Sequence, residues 1–348
     1  MRRRWQVLGL GLTAAAGTAG CVIPPPQGHV VPATPGLAAA TKTPKAAPRP
    51  GENPFARAAF YVDDQSSAKR QADTWRAKRP EDAAAIERIA RQPKADWFGD
   101  WNPNVELAVD LRVTEISRTG GLPVMVVYNI PNRDCGLYSR GGAKAPAAYK
   151  TWVRAVAKGI GSRRAAVVLE PDALPLLKKC LSPADQQARL ELVRFAVATL
   201  KANPGTAVYI DAGHSGWIDP PEMAQRLVAG GVAEADGFSL NVSNYKSTDE
   251  ELGYGREVSR LVGGKHFIID TSRNGNGAPN VEGDVEAAWC NPDGRAIGAA
   301  PTSITGEPLC DAFFWVKPPG ESDGRCNHGP AAGMWWPDKA LELAKGAK

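Results

Sequence analysis

The stretch AAVVLEPDALP, residues 165–175, decides the fold. A short apolar run closed by Glu170-Pro171-Asp172 reads as a strand buried on both faces, because a wet face would impose alternating polar residues. Three further runs share this design: VMVVYNIPNRDCG (124–136), AVYIDAGHSGW (207–217) and AFFWVKPPGESDG (312–324). Each of the four delivers one aspartate at or just past its end: Asp134, Asp172, Asp211 and Asp323. In parallel sheets and barrels, functional residues gather at the carboxyl ends of the strands. Four acids on one rim would make a carboxylate-rich cleft, suited to general acid and base chemistry on a neutral substrate such as a sugar.

Working outward, strand-like and helix-like runs alternate from Asn53 onward, with no internal repeat. Strands are expected at 60–64, 95–97, 122–128, 165–170, 207–210, 237–242, 266–270 and 312–316. Helices are expected at 66–78, 104–118, 146–160, 183–201, 220–228, 249–261 and 337–343. Such alternation predicts an α/β domain built as a closed or nearly closed parallel barrel. Two long loops, 133–143 and 272–308, interrupt it, and loops of that length inside a compact domain are usually functional.

The net charge of +5 does not belong to this domain. Residues 1–52 carry six of the 42 basic residues and one of the 37 acidic ones, so the remainder is formally neutral. A nucleic-acid partner is therefore not expected, since such domains carry positive charge on a folded face. Arg2–Arg4 followed by an apolar core from Val7 to about Ala19 reads as an export leader, too short to span a membrane. Thr18-Ala19-Gly20-Cys21 resembles a lipoprotein cleavage site, so the sequence predicts either plain secretion or a lipid anchor at Cys21. Residues 22–52, rich in Pro and Ala, read as a semi-extended linker. The catalytic unit is then expected at 53–348. Five cysteines fall in it, Cys135, Cys180, Cys290, Cys310 and Cys326. Export makes disulfides plausible, an odd count leaves one thiol over, and no Cys/His grouping has metal spacing. No GxGxxG follows a strand and no Walker A pattern occurs, so neither cofactor nor metal is expected.

The motifs carry distinct chemistry. An acid after VVL, partly shielded by apolar neighbours, has its pKa raised by desolvation and can stay protonated to donate to a leaving oxygen. That is the reading given to Asp172; capping the following turn is the alternative. Asp211 precedes the Gly-rich AGHSGW, where His214 is expected to hydrogen-bond and Trp217 to stack on a sugar face. Lys317, Glu321 and Asp323 crowd together, and a cation there would keep Asp323 ionised and able to act as a base. Trp97, Trp101, Trp217 and Trp289 all lie in or beside loops; interleaved with neutral groups such as Asn241, they suit a sugar cleft better than a nucleotide site.

The strings VVYNIPNRDCG, VVLEPDALP, YIDAGHSGW, LNVSNY, WCNPDGRAIG and FFWVKPPGESDG resemble, in order, the motif set of glycoside hydrolase family 6, over about residues 53–346. The resemblance implies a distorted, TIM-like parallel barrel of about seven strands in a single domain. It implies an inverting endo-1,4-β-glucanase of bacterial type, acting as a monomer on β-1,4-glucan, with no protein partner evident. By position, Asp172 matches the general acid, Asp134 the aspartate that supports its protonation, Asp211 one that tunes the site and contacts sugar, and Asp323 the base. Tyr128 matches the residue that distorts the central sugar, and Ser139 lies in the loop that holds the nucleophilic water. His214, Asn241, Lys317 and Glu321 match substrate-binding positions, and Trp97, Trp217 and Trp289 the stacking platforms. The family's disulfides map to Cys135–Cys180 and Cys290–Cys326, which leaves Cys310 unpaired. The short segment after Asp323 favours an open cleft over an exo-acting cellobiohydrolase tunnel. A glycan-binding protein without catalysis is the remaining alternative.

Overall fold

The computed structural model describes residues 53–56, 58–280 and 288–347; the expected leader (1–21), the linker (22–52) and Cys21 lie outside the described residues. Nine strands are described: β1 (Ala59–Phe60), β2 (Asp96–Phe98), β3 (Gly121–Leu122), β4 (Val124–Val127), β5 (Ala165–Leu169), β6 (Thr206–Asp211), β7 (Gly237–Leu240), β8 (His266–Asp270) and β9 (Cys310–Phe314). Seven form one sheet in the order β2-β4-β5-β6-β7-β8-β9, and every pairing in it is parallel. The sheet curls until its edges meet. Ala95 N–H donates to Trp315 O at 3.0 Å, and Trp97 Nε1 donates to Val316 O at 2.8 Å. The fold is thus the nearly closed barrel of the two forms the sequence allowed.

Both faces of each strand are covered. Val124, Val126, Ala166, Val168, Ala207, Tyr209, Ala312 and Phe314 point into the barrel. Their neighbours Met125, Val127, Val167, Leu169, Val208 and Ile210 point outward against the helices. Period-two alternation therefore selects between two apolar layers, which is why the strands read as unbroken hydrophobic runs. Phe55, before β1, fills the barrel interior, its ring 5.1 Å from Phe314 and 5.6 Å from Tyr209.

The helices Pro146–Ile160, Pro183–Lys201 and Pro220–Ala229 each start with Pro in the first turn, where the missing N–H costs nothing. Thr248–Leu261 begins with a full capping box from Ser247 and Glu250. Two expectations need correction. The strand at 60–64 shrinks to Ala59–Phe60, paired with Gly121–Leu122; the next partner in register would be Pro123, which has no N–H to continue a ladder. An unforeseen helix, Pro80–Ala90, buries Ala83 and packs Ile86, Ile89 and Ala90 in a small cluster with Ala340, Leu343 and Ala344 of the closing helix Pro337–Gly346.

Candidate active site

A cleft of about 950 Å³ opens where the strands end. Of the residues singled out by sequence, Trp97, Trp101, Tyr128, Asp134, Ser139, Asp172, His214, Trp217, Trp289, Lys317, Glu321 and Asp323 line it. Asp211 and Asn241 do not, and their side chains serve the backbone instead.

Asp172 follows β5 with φ +69°, in the left-handed region that a non-glycine residue enters only when surroundings hold it there. The hold comes from below: Asp172 N–H donates to Asp211 Oδ1 at 3.0 Å. Gly213 N–H donates to the same oxygen at 3.1 Å, and Ser239 Oγ lies 3.4 Å from Oδ2. Asp211 is thereby a buried support, its pKa pushed up to about 7 by burial against these donors. Asp172 is half-buried and lines the cleft. Burial first, then the charges of Asp211 and Asp134, drive its pKa well above the usual range, against the opposing pull of the Tyr128 hydroxyl. Tyr128 stands edge-on to Trp97, with ring centroids 5.3 Å apart.

Asp134 sits in the loop after β4, also at positive φ. Ser139 N–H donates to its Oδ2 at 2.7 Å, and burial outweighs that bond to raise its pKa. The loop is fastened on three sides. Cys135 is bonded to Cys180, at the end of the short helix Leu177–Cys180. Arg189 donates to Pro131 O and Asn132 O at 2.7 and 2.9 Å. The buried Arg133 reaches Tyr128 O, Ser139 O and Asp100 Oδ1 at 2.8–2.9 Å. Beneath it, Glu170 accepts from Asn129 N–H and Ile130 N–H at 3.0 Å. Burial lifts Glu170 to about 7.

Across the cleft, Asp323 has the opposite environment. Its Oδ2 accepts from Arg273 Nη1 at 2.9 Å, Tyr245 OH at 3.1 Å and Asn291 N–H at 3.1 Å. Lys317 Nζ lies 3.6 Å from Oδ1. Burial alone would raise its pKa, but Arg273 and Lys317 override it and hold Asp323 below the usual carboxylate value. Asp270, closing β8, ties the strand ends together by accepting from Ser243, Ser272, Val316 and Lys317 N–H at 2.9–3.2 Å. The Cys290–Cys326 disulfide joins the loops after β8 and β9. Cys310 is free and buried.

Asn241 was expected at the substrate, yet its amide is spent on main chain. Nδ2 donates to Lys246 O and Asp270 O, and Oδ1 accepts from Lys246 N–H, all at 2.9–3.0 Å. It shapes the loop from Val242 to Lys246. His214 is kept neutral, its pKa lowered to about 4 by burial and by Lys246. Gly216 N–H donates to Nδ1 at 3.2 Å, which puts the ring proton on Nε2. Trp217 lies against the His214 ring, centroids 5.5 Å apart. Glu251, buried on the helix 248–261, accepts from Ser215 N–H at 2.9 Å and so supports this loop. Burial pushes the pKa of Glu321 upward against the pull of Lys317. Arg133, Arg273, Tyr245, Glu170, Glu251 and Asp270 were missed by sequence reasoning. The position of Arg133 immediately before Asp134, and of Asp270 at a strand end, was the available signal.

The cleft holds one acid with a raised pKa, Asp172, and one with a lowered pKa, Asp323, among aromatic side chains. The family model for glycosyl hydrolases family 6 matches residues 55–347. Endoglucanase A of Thermobispora bispora is 43% identical over 296 residues, which cover 83% of this chain and 62% of that protein. Endoglucanase 1 of Streptomyces halstedii is 41% identical over 299 residues, 82% of this chain and 88% of that one. The chain therefore spans under two thirds of the former relative and most of the latter. The endoglucanase of Mycobacterium tuberculosis, solved in complex with methyl-cellobiosyl-4-deoxy-4-thio-β-D-cellobioside, matches with TM-score 0.80 at 44% identity over 85% of this chain and 99% of that one.

Proposed function

The chain belongs to glycosyl hydrolases family 6, and from that premise we propose that it is an inverting endo-1,4-β-glucanase. Asp172 protonates the glycosidic oxygen while water attacks the opposite face of the sugar ring. The observation that carries this reading is the electrostatic contrast within the cleft: burial and like charge raise the pKa of Asp172, while Arg273 and Lys317 lower that of Asp323. An acid whose pKa is depressed is a weak proton acceptor. Asp323 is better suited to stabilising an oxocarbenium-like charge. Asp134, with its raised pKa and its carboxylate fixed by Ser139, is the better acceptor for the proton of the water. His214 Nε2–H, Lys317 and Glu321 offer hydrogen bonds to hydroxyls. Trp97, Trp217 and Trp289 supply stacking faces.

Endo action is favoured over cellobiohydrolase action by two features. Both sequence relatives named above are endoglucanases. The segment from Gly324 to Trp336 is short and tied down by Cys290–Cys326 and the Glu321–Trp335 bridge, which leaves little chain to roof the cleft. Export fits the leader-like residues 1–21, the bacterial relatives and the two disulfides. Acylation of Cys21 is part of the same proposal, tested by mass spectrometry of the mature N-terminus.

Viscometry on carboxymethylcellulose, with parallel counts of reducing ends, tests the function. A steep viscosity fall with few new ends is expected. Many new ends with little thinning would replace the reading with the exo-acting one. Turnover in neither assay, with the glucan bound, would leave a binding protein. Proton NMR of fresh product should show the α-anomer first; the β-anomer first would refute inversion.

A further inference from the structure

We propose that Trp101 forms an additional glucosyl-binding platform at the cleft wall that continues from β2, and that it makes affinity depend on glucan length. This rests on the glucan reading of the cleft. Solitary exposed apolar residues are ordinary on protein surfaces. Trp101 differs in how it is held. The indole is 50% exposed and lines the same cleft as Trp97 and Asp134. It lies against the main chain of Gly99, where an added Cβ would fall 2.3 Å from Cζ3 and 2.5 Å from Cη2. Only glycine leaves that room. The turn is closed by Gly99 N–H to Asn102 Oδ1 and Asn102 N–H to Gly99 O, both at 3.0 Å.

The guanidinium of Arg133 stands over the indole at 5.2 Å from the centroid. Arg133 is itself buried and fixed by Asp100, Tyr128 O and Ser139 O. Asp100 also accepts from Gly142 N–H at 3.0 Å, which joins this turn to the loop of Asp134. An indole clamped in this way, with half its surface open, has already lost the rotamer freedom that a ligand would otherwise have to freeze. The half of the indole left exposed is apolar surface suited to packing on the C–H face of a pyranose.

The test uses the otherwise intact protein carrying Asp172→Asn, so that ligands survive. Calorimetry measures its affinity for the series cellotriose to celloheptaose. Affinity is expected to rise about three- to tenfold at the length that first reaches Trp101. Trp101→Ala should erase that step, and Trp101→Phe should keep most of it. Gly99→Ala, which keeps the indole but displaces it, should weaken the step. A step unchanged in Trp101→Ala overturns the proposal. So does an equal loss at every length, which would mean that Trp101 acts only by bracing Arg133. Binding with no length step in the unsubstituted background overturns the subsite alone. No binding of any member would sink the glucan reading and the subsite with it.

Discussion

The loops after β5 and β9 each hold an aspartate at the same cleft, yet the two are opposite in character. After β5, Asp172 has acidic neighbours, Asp211 and Asp134, and one hydroxyl, Tyr128. After β9, Asp323 has Arg273, Lys317, Tyr245 and the Asn291 amide. Residue type is the same, and both lie beyond the carboxyl end of a strand, Asp172 just past Leu169 and Asp323 in the longer loop after Phe314. What differs is the sign of the surrounding charge, and that sign decides which acid can give a proton and which can only stay charged.

The largest test of the contrast is Asp172→Asn. It should lower turnover of an unactivated glucan by roughly 10²–10⁴-fold, read as reducing ends per unit time. A rate close to the unsubstituted protein would move the acid elsewhere. Next is Arg273→Met, which leaves Asp323 buried beside Lys317 alone. Breaking a buried pair costs about 3–5 kcal/mol. The sign follows from linkage. Because Asp323 is held below its ordinary value of 3.8, its pairing stabilises the fold above that value, and the benefit is lost as pH falls through the lower folded value. Without Arg273 the shift reverses, so urea unfolding should show the variant's deficit shrinking on acidification. A deficit independent of pH would mean that Arg273 contributes only packing.

A smaller effect is expected at Glu170→Gln. The carboxylate accepts from two main-chain amides, and an amide group would turn a donor toward donors, costing about 1–3 kcal/mol. Glu170 has a raised folded value, from 4.5 to about 7. Its contribution is therefore complete below 4.5 and fades as pH rises through 7. The variant should lose that slope in urea midpoints. An unchanged slope would assign it to other groups.

The barrel was legible because its strands are short apolar runs with acids at their ends, and β5 alone, AAVVL followed by EPD, carried most of that signal. The helix Pro80–Ala90 was legible too, with Ala83, Ile86 and Ile89 at helical spacing, but its alanine-rich face was overlooked. Asp211 ends its strand as expected, whereas Asn241, expected within the strand 237–242, lies just past β7; which way their side chains turn depends on the backbone they meet. Arg273 and Glu251 were invisible for another reason. Their partners lie 50 and 36 residues away, and no local pattern announces a pairing closed only by the fold. The clamp on Trp101 is likewise shared between two loops.

The most direct measurement is carbon NMR of the aspartate carboxyl groups across pH, assigned with Asp172→Asn and Asp323→Asn. The account predicts that Asp172 still carries its proton at a pH where Asp323 is fully ionised. Asp172 losing its proton at or below the pH where Asp323 loses its own would contradict it.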